Sequence, residues 1–215
     1  MSRPLLISDC DEVLLHMVAH FAGWLDEEHG IRFDLDSGEF ADALTDAASG
    51  EIIAAERIWP LLDGFFRGEI HRQTLVPGAL EALGAIGEVA DIVILTNLGD
   101  EAHSWRVDQL ASHGIRHEVI CNQGGKGVPA RSVIERHAPS SVVFVDDLAV
   151  HHASVAKHAP ATWRLHMIAE PRIAAVVQPA AHAHARIDHW NAALPWIEAR
   201  FAEGPAPIAR EKGAT

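Results

Sequence analysis

Leu5-Leu6-Ile7-Ser8-Asp9-Cys10-Asp11-Glu12-Val13-Leu14-Leu15 is the stretch that decides the fold. A short apolar run that stops at two carboxylates, Asp9 and Asp11, has the pattern of a buried strand whose C-terminal tip opens into a crevice. In open α/β sheets that crevice is where ligands bind. A second run of the same kind, Ser141-Val142-Val143-Phe144-Val145, ends in Asp146-Asp147. If both runs are neighbouring parallel strands, four carboxylates collect at one edge of the sheet. Like charges so placed repel, and a cation belongs among them, most simply a divalent metal.

Working outward, a third apolar run, Asp91-Ile92-Val93-Ile94-Leu95, ends in Thr96-Asn97, and Lys126 lies within Gly124-Gly125-Lys126-Gly127. Two more strand-like runs are His117 to Cys121 and Ala161 to Met167. Helix-like spacing separates most of them: Ala79 to Ile86, Asp100 to His113, Val128 to His137 and Leu148 to His158. Strand, helix and strand repeating at this interval predict a doubly wound α/β core with a parallel sheet and right-handed crossovers.

The long interval after the first strand breaks that rhythm. Residues 15–74 show helix-like runs at Leu15 to His29, Ser37 to Ala48 and Glu51 to Phe66, and no good strand signal. A crossover needs only about a dozen residues, so this stretch reads as an inserted helical module. Pro77-Gly78 reopens the core. The expected division is therefore a core of 1–14 and 75–203, an insert of 15–74, and a frayed tail of 204–215. Ile187 to Phe201 reads as a terminal helix packing on the core.

At 215 residues the chain has room for such a core, and its 48 % hydrophobic and 22 % charged residues are ordinary for a globular protein. The net charge of −13 repels polyanions, which argues against nucleic acid as a partner. A small anionic substrate then needs local positive charge, and a metal with Lys126 would supply it. Two cysteines, Cys10 and Cys121, make no disulfide framework and point to a reducing compartment. The apolar residues before Asp9 are too few for a signal peptide and no run is long enough to span a membrane, so the expected location is cytoplasmic.

In order, Asp-x-Asp, Thr-Asn, Lys and Asp-Asp, three of the four directly following a strand-like run, resemble the motifs of the haloacid dehalogenase superfamily in its phosphatase branch. The resemblance spans roughly residues 4 to 170. It implies a Mg²⁺-dependent phosphatase acting on a small phosphorylated metabolite, with the insert as a helical cap over the site. It assigns Asp9 as the nucleophile that forms an aspartyl-phosphate and Asp11 as the general acid and base, its carbonyl also on the metal. Thr96 and Asn97 would hold phosphoryl oxygens, and Lys126 would balance charge on nucleophile and phosphate. Asp9, Asp11 and Asp147 would ligate Mg²⁺, with Asp146 in support.

Asp11 favours phosphate esters over carbon–halogen bonds, because the dehalogenating members lack an acid at that position. Glu12 departs from the pattern, standing where glycine is usual, and no second acid follows Asp147 within the next few residues. Two alternatives stand beside hydrolysis: a phosphomutase or phosphotransferase using the same intermediate, and a protein that binds a phosphorylated ligand without turning it over. His16 and His20 are read as one helical face near the site, Trp24 and Trp59 as core of the insert, and the pairs His151-His152 and His182/His184 as surface histidines.

Overall fold

The computed structural model describes residues 2–37 and 43–208. Strand β1 (Leu5–Ser8) is buried at every position. It lies in the middle of a parallel sheet and pairs on one side with β6 (Asp91–Thr96) and on the other with β8 (Val142–Asp146). Beyond β6 lies β7 (Glu118–Cys121), and beyond β8 lie β9 (Trp163–His166) and β10 (Ala185–Arg186). Three elements each of two or three residues, β2 (Leu15–His16), β3 (Ile31–Phe33) and β4 (Leu44–Asp46), and a fourth, β5 (Thr74–Leu75), lie outside this sheet in the insert.

Alternation along β1 explains why two apolar layers form. Leu6 points to one face with Ile92, Ile94, Val143 and Val145, while Leu5 and Ile7 point to the other with Val93, Leu95 and Phe144. The first face is covered by the helix over Ala79–Val89 and by the C-terminal helix over Trp190–Glu203. The second is covered by those over Gly127–His137 and Ala149–His158. In chain order the α-helices are α1 (Val18–His29), α2 (Ala55–Gly68), α3 (Ala79–Val89), α4 (His103–Ser112), α5 (Gly127–His137), α6 (Ala149–His158), α7 (Pro171–Val176) and α8 (Trp190–Glu203).

Register places the chemistry. Ser8 stands opposite Ile94 on one side and Val145 on the other, so Asp9 falls level with Asp146, and Thr96 ends β6 one residue further along. The chain runs from β1 outward to β7 and then returns to lay β8 against β1. The strand order therefore reverses at this point, as it does where doubly wound sheets bind ligands.

The insert differs from its sequence reading in three places. The helix expected from Leu15 begins only at Val18, because Leu15 and His16 pair antiparallel with Leu75 and Thr74 as the chain leaves the core and returns. The helix expected over Ser37 to Ala48 is instead strand at β4, paired antiparallel with β3. Its residues 38–42 lie outside those described. Asp46 explains the stop: its carboxylate accepts from the Ala48 and Ser49 amides, a side-chain turn that competes with helix. The third is Trp59, 72 % exposed rather than in the core, whereas Trp24 packs with Phe21, Leu25, Ile58 and Phe65 in an apolar cluster of the insert's own.

At the C-terminal end, the two-residue β10 was not foreseen. Nor is the expected tail loose throughout: Ala206 is buried and its amide donates to the Ala161 carbonyl at 2.9 Å. Residues 209–215 of that tail lie outside those described. Among the described residues no helix is long and apolar enough to cross a membrane.

Candidate active site

Lys126 is the centre of the charge arrangement. Its ammonium is fully buried, 2.7 Å from Asp9 Oδ1 and 2.7 Å from Asp146 Oδ2. It sits just before α5, and the glycines around it have distinct uses. Gly124 takes the left-handed conformation (φ 86°), while Gly125 and Gly127 press against Ser154 of α6, where a Cβ on Gly127 would lie 2.1 Å from the Ser154 carbonyl oxygen. Close packing of α5 on α6 is what brings Lys126 to the tips of β1 and β8.

The carboxylates share one region but have different partners. Asp9 Oδ1 accepts from the Cys10 amide as well as lying against Lys126. Asp146 is used up internally, Oδ2 by Lys126 and Oδ1 by the Leu148 amide. Asp147 is half-buried, and no hydrogen bond to its carboxylate forms among the described residues. Carboxylate oxygens of Asp9, Asp146 and Asp147 all lie within 4.8 Å of one another.

Three acids against one ammonium leave a surplus of negative charge. Burial, offset in part by Lys126 and reinforced by Asp146 and Asp11, pushes the Asp9 carboxyl up to about 7. Burial and the adjacent Asp146 raise Asp147 too. A hard divalent cation with oxygen ligands fits this donor set, and these three residues could hold one. His152 Nε2 lies 3.0 Å from the Asp146 carbonyl and His166 Nε2 2.7 Å from the Asp147 carbonyl, so two ring N–H groups fix the backbone of the acid pair. The surface reading of His151 and His152 is therefore wrong: both are buried, because α6 starts directly at the acid pair and turns them inward. His182 and His184 are exposed, as expected.

Thr96, fully buried at the tip of β6, carries a hydroxyl with no hydrogen-bond partner among the described residues. Such an orphan is costly unless a bound group completes it. Asn97 is not free in the same way. Its amide donates to the Gly124 carbonyl at 2.9 Å, and its oxygen accepts from Asn122 at 3.0 Å, so it ties the loops after β6 and β7 together.

Asp11 and Glu12 go elsewhere. Asp11 takes both oxygens to Arg106 Nη2 (2.9 and 2.8 Å) and accepts a further bond from Gln73 Nε2 at 2.6 Å. Arg106 of α4 is fully buried. Its Nη1 donates to Gln73 Oε1 (3.0 Å) and Gln109 Oε1 (2.9 Å), and it lies 3.2 Å from Cys10 Sγ. Reasoning on the sequence missed Arg106 and Gln73, since neither stands in a motif and the buried face of α4 already mixes polar Arg106 and Gln109 with Leu110. Glu12 faces neither solvent nor the acid cluster. It is buried at φ 56°, and its carboxylate accepts from the amides of Met17 (2.8 Å), Val18 (2.7 Å) and Glu170 (2.9 Å). Burial pushes that carboxyl up to about 7.

His16 and His20 do not share a helical face, since His16 is in β2; His20 lies 3.0 Å from the Thr74 hydroxyl and links α1 to β5. A cavity of about 720 Å³ lies beside the junction of insert and core, between His16, Val76, Pro77, Ile168 and Pro171. None of the acids around Lys126 lines it.

The chain superposes on solved structures described as haloacid dehalogenase-like. A candidate haloacid dehalogenase-like hydrolase from Burkholderia xenovorans superposes with a TM-score of 0.61 at 16 % identity, over 94 % of this chain and 99 % of that one. The chain has the haloacid dehalogenase fold. A candidate haloacid dehalogenase hydrolase of Bacillus subtilis, YfnB, described as bound to magnesium, matches at TM-score 0.62 and 14 % identity, over 92 % and 99 % of the two chains. A candidate phosphoglycolate phosphatase from Lactobacillus plantarum matches at 0.60 and 14 %, over 91 % and 99 %. No family model matches the sequence, and no curated protein does. Within the haloacid dehalogenase fold, the acids around Lys126 occupy the C-terminal edge of the parallel sheet, the general ligand edge of such folds.

Proposed function

We propose that the chain is a phosphatase hydrolysing a small phosphomonoester through an aspartyl-phosphate on Asp9. The observation that carries this reading is the grouping of Asp9, Asp146 and Asp147 around one buried ammonium, with the unpartnered Thr96 hydroxyl at the neighbouring strand tip. Lys126 and the Cys10 amide hold Oδ1 of Asp9, which leaves Oδ2 as the oxygen to attack phosphorus. As the new O–P bond forms, the P–O bond to the leaving group breaks, its electron pair stays on the leaving oxygen, and Asp11, entering this step protonated, gives its proton to that oxygen. Water then attacks the same phosphorus, Asp11 takes its proton, and phosphate leaves with Asp9 restored.

Lys126 balances charge on Asp9 throughout, and the Thr96 hydroxyl donates to a phosphoryl oxygen. Asn97, already spent on Gly124 and Asn122, contributes by shaping the loop and through its backbone. Asp9, Asp147 and the Asp11 carbonyl are the proposed Mg²⁺ ligands. The free carboxylate of Asp147 supports it over Asp146, which Lys126 and Leu148 occupy. When bound, Mg²⁺ neutralises charge on the phosphoryl oxygens. The insert serves as the cap, and its inner surface selects the substrate.

The test is phosphate release from a panel of small phosphomonoesters, including p-nitrophenyl phosphate, with Mg²⁺ and with EDTA. Release that needs the metal and disappears in Asp9→Asn, with the fold unchanged by circular dichroism, is the expected result. Substantial release from Asp9→Asn sinks the nucleophile assignment. Transfer of the phosphoryl group to an added alcohol in preference to water identifies a phosphotransferase or mutase instead.

A further inference from the structure

We propose that Arg106 is a positioning residue for Asp11, holding the acid/base carboxylate at the rim of the site from the buried side. The inference rests on the phosphatase reading above. Arg106 has no exposed surface, whereas the Asp11 side chain is 18 % exposed. The ion pair therefore begins inside the core and ends at a partly exposed carboxylate. A buried guanidinium is a poor way to gain stability, because apolar replacements of buried ion pairs are often neutral or stabilising. What it does provide is direction: Nη2 reaches both Asp11 oxygens, and Gln73 adds a third N–H at Oδ1. An aspartate rotates freely about two bonds when unheld, and three charge-assisted or amide bonds confine it to one orientation.

The grip extends into the insert. Gln73 precedes β5 on the return to the core, Gln109 of α4 donates to the Ile70 carbonyl, and the Arg106 guanidinium lies 5.7 Å from the centre of the Phe66 ring of α2. Asp11 is thus held jointly by α4 and by the segment through which the insert rejoins the core. Neither Arg106 nor Gln73 contacts the acids around Lys126, so both act on the reaction through Asp11.

The experiment compares kcat/KM for ethyl phosphate, whose leaving oxygen needs a proton, with that for p-nitrophenyl phosphate, whose leaving group departs without one. General acid catalysis is worth roughly 10²- to 10⁴-fold. Arg106→Met is expected to lower kcat/KM for ethyl phosphate by about 10²-fold or more, and for p-nitrophenyl phosphate by less than about 10-fold, with KM nearly unchanged. Arg106→Lys should restore part of the ethyl phosphate rate. Should Arg106→Met fail to fold, Gln73→Leu decides the matter, with the same substrate-selective loss at smaller size. An equal loss on both substrates, or a relative gain on ethyl phosphate, overturns the proposal. If wild type itself releases no phosphate from either ester and labels no Asp9, the hydrolase reading has failed and this one falls with it.

Discussion

Glu12, which departs from the motif pattern, serves the packing of distant segments against one another. Its side chain spans the insert and the core, accepting amides from the start of α1 and from the residue before α7. Replacing it with alanine strands three backbone donors in a buried place and should cost about 2–4 kcal/mol, measured by urea unfolding. Glu12→Gly should cost less, because glycine relieves the left-handed backbone at φ 56°. Equal losses in the two variants would mean the backbone there is unstrained. At Asp147, replacement by alanine should raise the Mg²⁺ concentration needed for half-maximal activity by tenfold or more, roughly the effect of one lost carboxylate ligand. An unchanged metal titration refutes the ligand role. The position of Asp9 and Asp147 at strand ends was visible in the sequence because an apolar run that stops at an acid marks the tip of a buried strand. Arg106 was not, because its purpose is defined by a side chain far away in the chain.

The elements that build the site are α5 and α6, whose contact delivers Lys126. Gly127 permits that contact, and a methyl group there would meet the Ser154 carbonyl at 2.1 Å. Gly127→Ala should force the two helices apart, lowering stability by about 2–4 kcal/mol and reducing activity together. Thermal unfolding with activity assays checks it, and a Gly127→Ala protein of wild-type stability would show that the helices separate at no cost. Strands β1, β6 and β8 were legible because each is a run of β-branched and apolar residues buried on both faces. The pairing of Leu15–His16 with Thr74–Leu75 was not, since two-residue strands carry no period and are created by the partner they meet.

For the whole molecule, His152 predicts how stability follows acidity. Burial, opposed by Asp146 and aided by His166 and Arg164, holds its imidazole at about 4, below the ordinary 6.5. Phe144 packs against its ring. Between those values the unfolded chain binds a proton that the folded one refuses, so stability is full above 6.5 and falls as pH drops toward 4. The difference is worth up to about 3 kcal/mol, at 1.36 kcal/mol for each tenfold in proton affinity. Asp9 and Glu12, held at about 7, act in the opposite sense, losing stability as pH rises from the ordinary carboxylate range to 7. The comparison is therefore wild type against His152→Gln in urea melts at pH 5 and pH 7. The variant should lose less stability on acidification, and parallel losses would exclude His152 as a source.

The sequence by itself determined the doubly wound α/β core, because burial on both faces of parallel strands and the helices between them are written in local periodicity. It determined the candidate acids and Lys126 for the same reason, since each follows or borders a local signal. Only the tertiary structure decided which carboxylate is free and which is occupied. Lys126 takes Asp146, Arg106 and Gln73 take Asp11, and the amides of the residues just before α1 and α7 take Glu12. Those partners come from segments distant in the chain, and hydrogen bonding and charge are settled by what lies within 3 Å in space, which no local pattern records.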